Sequence, residues 1–226
     1  MQLRRVRIFT DKYPWLGPLL WILSVQYFVN QIIVARAVTV PFSLTANTIS
    51  DLGATSCGLQ AGRMVCSPLH SLMNSSFIAL GITMALGAVL LYHEFKATHA
   101  TGFGFGALAV AGVGTLIVGL SPENVNTGLH QFGAALPFLL GNLGVAVLGF
   151  ALVLPRGARL FTITSGIVPL VALTLYVLGI YLGLGIGGME RVVAYPQTIW
   201  LIWFGWYMSK NRYEVVRRNG GRGRSF

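Results

Sequence analysis

Four side chains have the types and the placement to move a proton: Asp51, His70, Glu123 and His130. Asp51 sits in Asn47-Thr-Ile-Ser-Asp-Leu-Gly53, His70 follows Ser67-Pro68-Leu69, and Glu123 and His130 share the polar run that starts at Ser121-Pro122. With Glu190 they form a mixed nitrogen and oxygen donor set of the kind that holds a metal ion and activates water against a lipid ester or phosphate. No HExxH-like spacing accompanies them, so the sequence leaves the metal and any cofactor unknown. The same histidines can act without metal, as general bases beside Asp51 or Glu123. A third reading makes Arg63 or Arg191 the receiver of an anionic lipid headgroup, with Asn47, Asn74, Asn124 and Glu190 as further binding residues. The fourth is a structural polar cap over one end of a helix bundle.

These residues need elements to hold them, and composition says which. Of 226 residues, 54% are hydrophobic and 10% charged, against roughly 25% charged in soluble chains. A bilayer core about 30 Å thick requires about 20 apolar residues per helix, and six stretches qualify: near 14–35, 68–92, 102–121, 125–154, 160–186 and 191–208. Unpaired backbone groups are not tolerated in lipid, so these runs are expected to be helices. Six spans put both termini on one side. Thirteen of the sixteen basic residues fall on that side and only Arg36, Arg63 and Arg191 on the other, which predicts cytoplasmic termini. With three acids on each side, the whole charge of +10 lies on the inner face. Orientation and anionic lipid account for it, and a nucleic-acid partner is excluded.

The expected layout is a basic N-terminus over 1–13, a six-helix transmembrane domain over 14–208 and a basic, disordered tail over 209–226. An outer loop over 36–67 holds Cys57 and Cys66, which suit a local disulfide in an oxidising compartment. The first run is read as a retained span. Its Gln26, Asn30 and Gln31 either hydrogen-bond between helices or line an outward cavity. Pro68 is read as the first residue of helix two, with His70 and Asn74 one turn apart on one face. Ser121-Pro122-Glu123 reads as the start of helix four, which sets Glu123 and His130 two turns apart on one face and Asn126 one turn below His130. Gly102, Gly104, Gly106, Gly112, Gly114 and Gly119 read as close helix packing in lipid. Gly179, Gly183, Gly185, Gly187 and Gly188 read as packing or bending, and Tyr195-Pro196 as a kink.

Asn47-Thr-Ile-Ser-Asp-Leu-Gly53, Ser121-Pro-Glu-Asn124 with His130, and Gly188-Met-Glu-Arg191 with Tyr195-Pro196 and Trp200 together resemble the domain-of-unknown-function 998 family of bacterial membrane proteins, over about residues 14–208. The resemblance implies a six-helix bundle in a bacterial inner membrane with these motifs on one face. It implies no activity. The functional expectation is a protein that handles a lipid or lipid-linked substrate at the outer leaflet, by binding or hydrolysis, with membrane lipids as partners. The alternative is an accessory subunit of a larger membrane protein complex, docked through glycine-rich helices.

Overall fold

A computed structural model describes residues 12–220. Arg4, Arg5, Arg7, Arg222 and Arg224, which carry much of the expected inner charge, lie outside the described residues. The described chain is mostly helical. Helix α1 runs Leu16–Ala37 with a 3-10 turn at Leu23–Val25, α2 His70–Tyr92, α3 His99–Leu120, α4 Thr127–Ala151, α5 Arg156–Val177 and α6 Gly185–Arg218. A two-stranded antiparallel hairpin, β1 Gly58–Gln60 and β2 Arg63–Val65, interrupts the otherwise helical order.

Helices α1 to α5 are long and apolar enough to cross a membrane. Helix α6 is longer, at 34 residues, yet lacks an apolar stretch of that strength. The reason is its position. Met189, Val193, Gln197, Trp200, Leu201, Phe204 and Met208 are all buried, so one face of α6 packs against protein and polar side chains on it find partners, while Ile199 and Trp206 are exposed. Gln197 Nε2 reaches Met84 Sδ, and Trp200 Nε1 donates to Thr162 Oγ1 at 3.0 Å. Trp21, Trp200, Phe204 and Phe105 stack at the centre, with Trp200 and Phe204 ring centroids 4.9 Å apart.

Most of the α3 glycines are packing positions. A Cβ on Gly112 would lie 2.6 Å from the Gly81 carbonyl oxygen and from the Ala85 nitrogen of α2. One on Gly114 would lie 2.5 Å from the Gly133 carbonyl of α4. Gly106 differs: its open side meets nothing within 4 Å. Gly179, Gly183 and Gly185 take φ of +72°, +80° and +69°, so they form the turn that reverses the chain between α5 and α6.

Helices begin and break at other residues than the spacing suggests. Pro68 sits in a turn and α2 starts at His70. Residues 122–125 are non-helical and α4 starts at Thr127, capped by Asn126 Oδ1, which accepts from the Leu129 amide at 3.0 Å. The asparagine side chain competes with Ser121 for the cap because it reaches the free amides directly. Glu123 therefore precedes the helix and does not share a face with His130. Pro196 lies within α6, and the non-helical residue of that helix is Asn211. The segment from Ser209, expected to be disordered, continues as helix to Arg218, tied back by Arg212 Nη2 to Glu94 Oε2 at 2.6 Å. Gln26, Asn30 and Gln31 hydrogen-bond: Gln26 accepts from Ser76 Oγ and Asn30 Nδ2, and Gln31 Oε1 from Tyr195 Oη.

Replacing Gly112 with leucine is expected to force α2 and α3 apart at their closest approach. Overpacking of this kind costs about 1–3 kcal/mol or more. Thermal unfolding in detergent should show a midpoint several degrees lower, whereas Gly106→Leu should leave it unchanged.

Candidate functional site

The site is built on the loop from Ser43 to Ala54, which folds into the end of the bundle where α2, α4 and α6 begin. Ile49 and Leu52, three residues apart in an otherwise polar stretch, bury their side chains and draw the loop inward. Burying a loop requires partners for its backbone. Helix α6 supplies them. Arg191 Nη1 donates to the carbonyls of Leu44 (2.9 Å), Asn47 (2.8 Å) and Gly187 (2.8 Å), and Gly187 donates its amide to the Thr45 carbonyl. Glu190 Oε2 accepts from the Ile49 amide at 2.5 Å. Side chains on Gly185 or Gly187 would strike the Thr45 or Asn47 carbonyl, so only glycine lets the loop lie this close.

Inside the loop, Asp51 Oδ2 accepts from Asn47 Nδ2 and the Thr48 amide, each at 3.0 Å. Arg63, brought across by β2, meets the same carboxylate with two donors: Nε to Oδ2 at 3.0 Å and Nη2 to Oδ1 at 3.1 Å. The carboxylate in turn holds the Arg63 guanidinium above its ordinary pKa. Ser67 Oγ donates to the Leu52 carbonyl and Asn74 Nδ2 to the Gly53 carbonyl, which closes the C-terminal side of the loop. Cys57 and Cys66 form a disulfide across the hairpin base.

The loop so fixed presents Ser50 to His130. Ser50 Oγ lies 2.8 Å from His130 Nε2, and His130 Nδ1 lies 2.9 Å from the Ser121 carbonyl. A carbonyl can only accept, so Nδ1 carries the ring proton and Nε2 accepts from the serine hydroxyl. His130 is buried, one turn into α4. Below it α4 widens into a π-helical turn over Leu136–Gly141, where Pro137 has no amide to donate, and Asn142 Nδ2 bonds the Phe138 and Val193 carbonyls.

Two cavities meet here. An outer cleft of about 280 Å³ is lined by the polar Ser50, Glu123, His130 and Glu190 and by the apolar Phe138, Leu173 and Val177. A smaller apolar cavity of about 50 Å³ lies deeper, between Tyr27, Phe77, Met84, Val118 and Thr198. Ser50, Ala134, Phe138 and Glu190 line both. A separate polar recess under the hairpin is lined by Arg63, Glu123, Asn124 and Thr127.

The sequence candidates thus separate. His130, Glu123 and Glu190 share the cleft. Asp51 and Arg63 are engaged with each other, Arg191 with loop carbonyls, and Asn47 and Asn74 with the same loop. Asn124 ties Thr55 and Ser56 to the turn before α4. His70 Nδ1 donates to the Ser67 carbonyl and lines neither cleft nor cavity. Among the described residues, no three His, Cys, Asp or Glu side chains gather as a metal site. Ser50 is the cleft residue that residue type and spacing did not single out. The apolar pair Ile49 and Leu52 around it was the available signal, since a buried turn aims its intervening polar residue at something.

The chain belongs to the family described as protein of unknown function (DUF998), whose model matches residues 17–207. No curated protein and no solved structure matches it.

Arg63→Ala leaves the buried Asp51 carboxylate without its cation. Because Arg63 is partly exposed, the expected loss is near the lower end for a broken buried pair, about 3 kcal/mol. Thermal unfolding should register it. Adding Asp51→Asn to Arg63→Ala should recover part of the loss by removing the stranded charge, and no recovery would contradict the assigned pairing.

Proposed function

We propose that this family member is a six-span protein of a bacterial plasma membrane, with both termini cytoplasmic, whose outer cleft receives a lipid or lipid-linked molecule from the outer leaflet. Helix α6 serves as the sixth span, tolerated in the bilayer because its polar Glu190, Gln197 and Thr198 are buried against protein. The observation that carries the reading is the mixed lining of the cleft. Polar Ser50, Glu123, His130 and Glu190 line it together with apolar Phe138, Leu173 and Val177, and Val177 is 76% exposed. A lipid would leave its chains against the apolar residues and bring its polar junction to the others. Glu123 forms no hydrogen bond or ion pair through its carboxylate among the described residues, which leaves it able to accept from a headgroup hydroxyl or amine.

An accessory-subunit role draws on a different surface. The open face at Gly106 lies among the exposed Phe103, Val110 and Val113 of α3, and small residues on a lipid-facing helix favour helix docking. Under that reading Gly106→Leu releases a co-purifying protein.

Native mass spectrometry of the protein from mild detergent tests the leading reading. One bound lipid per chain is expected, lost in Leu173→Trp, which fills the cleft, and weakened in Glu123→Gln. Retention of the lipid by both variants would place it outside the cleft and overturn the proposal.

A further inference from the structure

We infer that Ser50 and His130 are a nucleophile and its general base, and that the cleft hydrolyses a carboxylic ester of a lipid. The inference rests on the lipid reading of the cleft and gives that lipid a reactive bond. Its warrant is the order of contacts. A serine hydroxyl is a weak nucleophile until a base accepts its proton, and the base is effective when a third group fixes its tautomer. Here the base nitrogen is 2.8 Å from Ser50 Oγ, and the Ser121 carbonyl, 2.9 Å from Nδ1, leaves Nε2 with its lone pair towards the serine. No carboxylate occupies the third position; the carbonyl orients the ring without adding a full negative charge.

Position supports the chemistry. Ser50 lines both the outer cleft and the inner cavity, so an ester carbonyl at Ser50 Oγ has the larger space for its alcohol part and the apolar Phe138, Leu173 and Val177 for its chain. The serine is also held more firmly than a solvent-facing loop serine would be. Glu190 binds the Ile49 amide immediately before it, and Asp51 immediately after it is locked by Arg63. Arg191 secures the preceding strand of the loop. Such fixation suits a group that must meet a carbonyl within about 3–3.5 Å.

The reaction balances with water as co-substrate. Ser50 Oγ bonds to the ester carbonyl carbon while His130 Nε2 takes the hydroxyl proton. The tetrahedral adduct then breaks its bond to the alcohol oxygen, which leaves with that proton. A water molecule from the cleft gives a proton to His130 and its oxygen to the acyl carbon. The acyl–Ser50 bond breaks, the proton returns to Ser50 Oγ, and a carboxylic acid and an alcohol have been formed from one ester and one water. Ser50 and His130 are the catalytic residues; Glu190, Asp51, Arg63 and Arg191 are positioning residues.

The test is covalent capture by a fluorophosphonate bearing a long alkyl chain, in which a serine oxygen displaces fluoride from phosphorus. The full-length protein in lipid nanodiscs is treated with the probe and digested, and the adduct is mapped by mass spectrometry. The adduct is expected on Ser50, absent in Ser50→Ala, and formed at least about 100-fold more slowly in His130→Gln, which retains a hydrogen-bonding side chain but no base. Melting temperature and elution volume of each variant establish that it is folded. The wild-type adduct site decides the matter even if a variant fails to fold. Folded wild-type protein that retains lipid yet gives no Ser50 adduct, or is labelled elsewhere, overturns the dyad and leaves lipid binding standing. Protein that neither retains lipid nor reacts overturns both.

Discussion

The structure depends on one constraint: a loop with a polar backbone has been buried at the end of an apolar bundle, and its backbone groups require partners there. Helix α6 provides them through Glu190 and Arg191, two adjacent residues of opposite charge that bond an amide and two carbonyls of the loop. Neither residue serves the loop alone. A lone carboxylate or guanidinium at this depth would carry an uncompensated charge, whereas the pair is close to neutral. Gly185 and Gly187 make the approach possible by having no side chain. From this clamp follow the burial of Ile49, the placement of Ser50 against His130 and the polar wall of the cleft.

The clamp also explains the composition of α6. A helix surrounded by lipid is selected for apolar residues throughout, but α6 carries Gln197, Thr198 and Glu190 on the face that is buried against protein. Helices α2, α3 and α4 pack to near backbone contact where Gly81 meets Gly112 and Gly114 meets Gly133. The π-helical turn of α4 lies close to Gly114 through Leu136 and Pro137 and contributes Phe138 to the cleft.

Much of the fold was legible in the sequence because hydrophobicity over 20 residues is a strong signal set by bilayer thickness. Five helices, the packing at Gly104, Gly112, Gly114 and Gly119 and the Cys57–Cys66 disulfide followed from such local or compositional rules, and the family from the resemblance of three short motifs. Helix starts were less legible. Ser121-Pro122-Glu123 carries a sound start pattern, yet Asn126 captures the free amides and moves the start by several residues. The site was legible only in part, for a similar reason. Ionisable residues announce themselves, so His130, Glu123 and Glu190, which line the cleft, were singled out, but so were His70, Asp51 and Arg191, whose partners are backbone groups, Asn47 and Arg63. Ser50 carries no charge, and within Asn47–Gly53 nothing sets it apart; it is the contact with His130, 80 residues away along the chain, that does. Pairings of that span are a property of the folded loop, and local spacing does not encode them.

The account stands on a lipid entering the cleft between α4 and α5. Photocrosslinking with a lipid that carries a diazirine on its acyl chain reads that position directly. After irradiation in membranes and peptide mapping, the crosslinks are predicted to concentrate on Phe138, Leu173 and Val177, and to disappear from them when an unlabelled lipid of the same class is added in excess. Crosslinks spread evenly over the lipid-facing surface, with Val113 of α3 labelled as strongly as Leu173 and no competition, would contradict it.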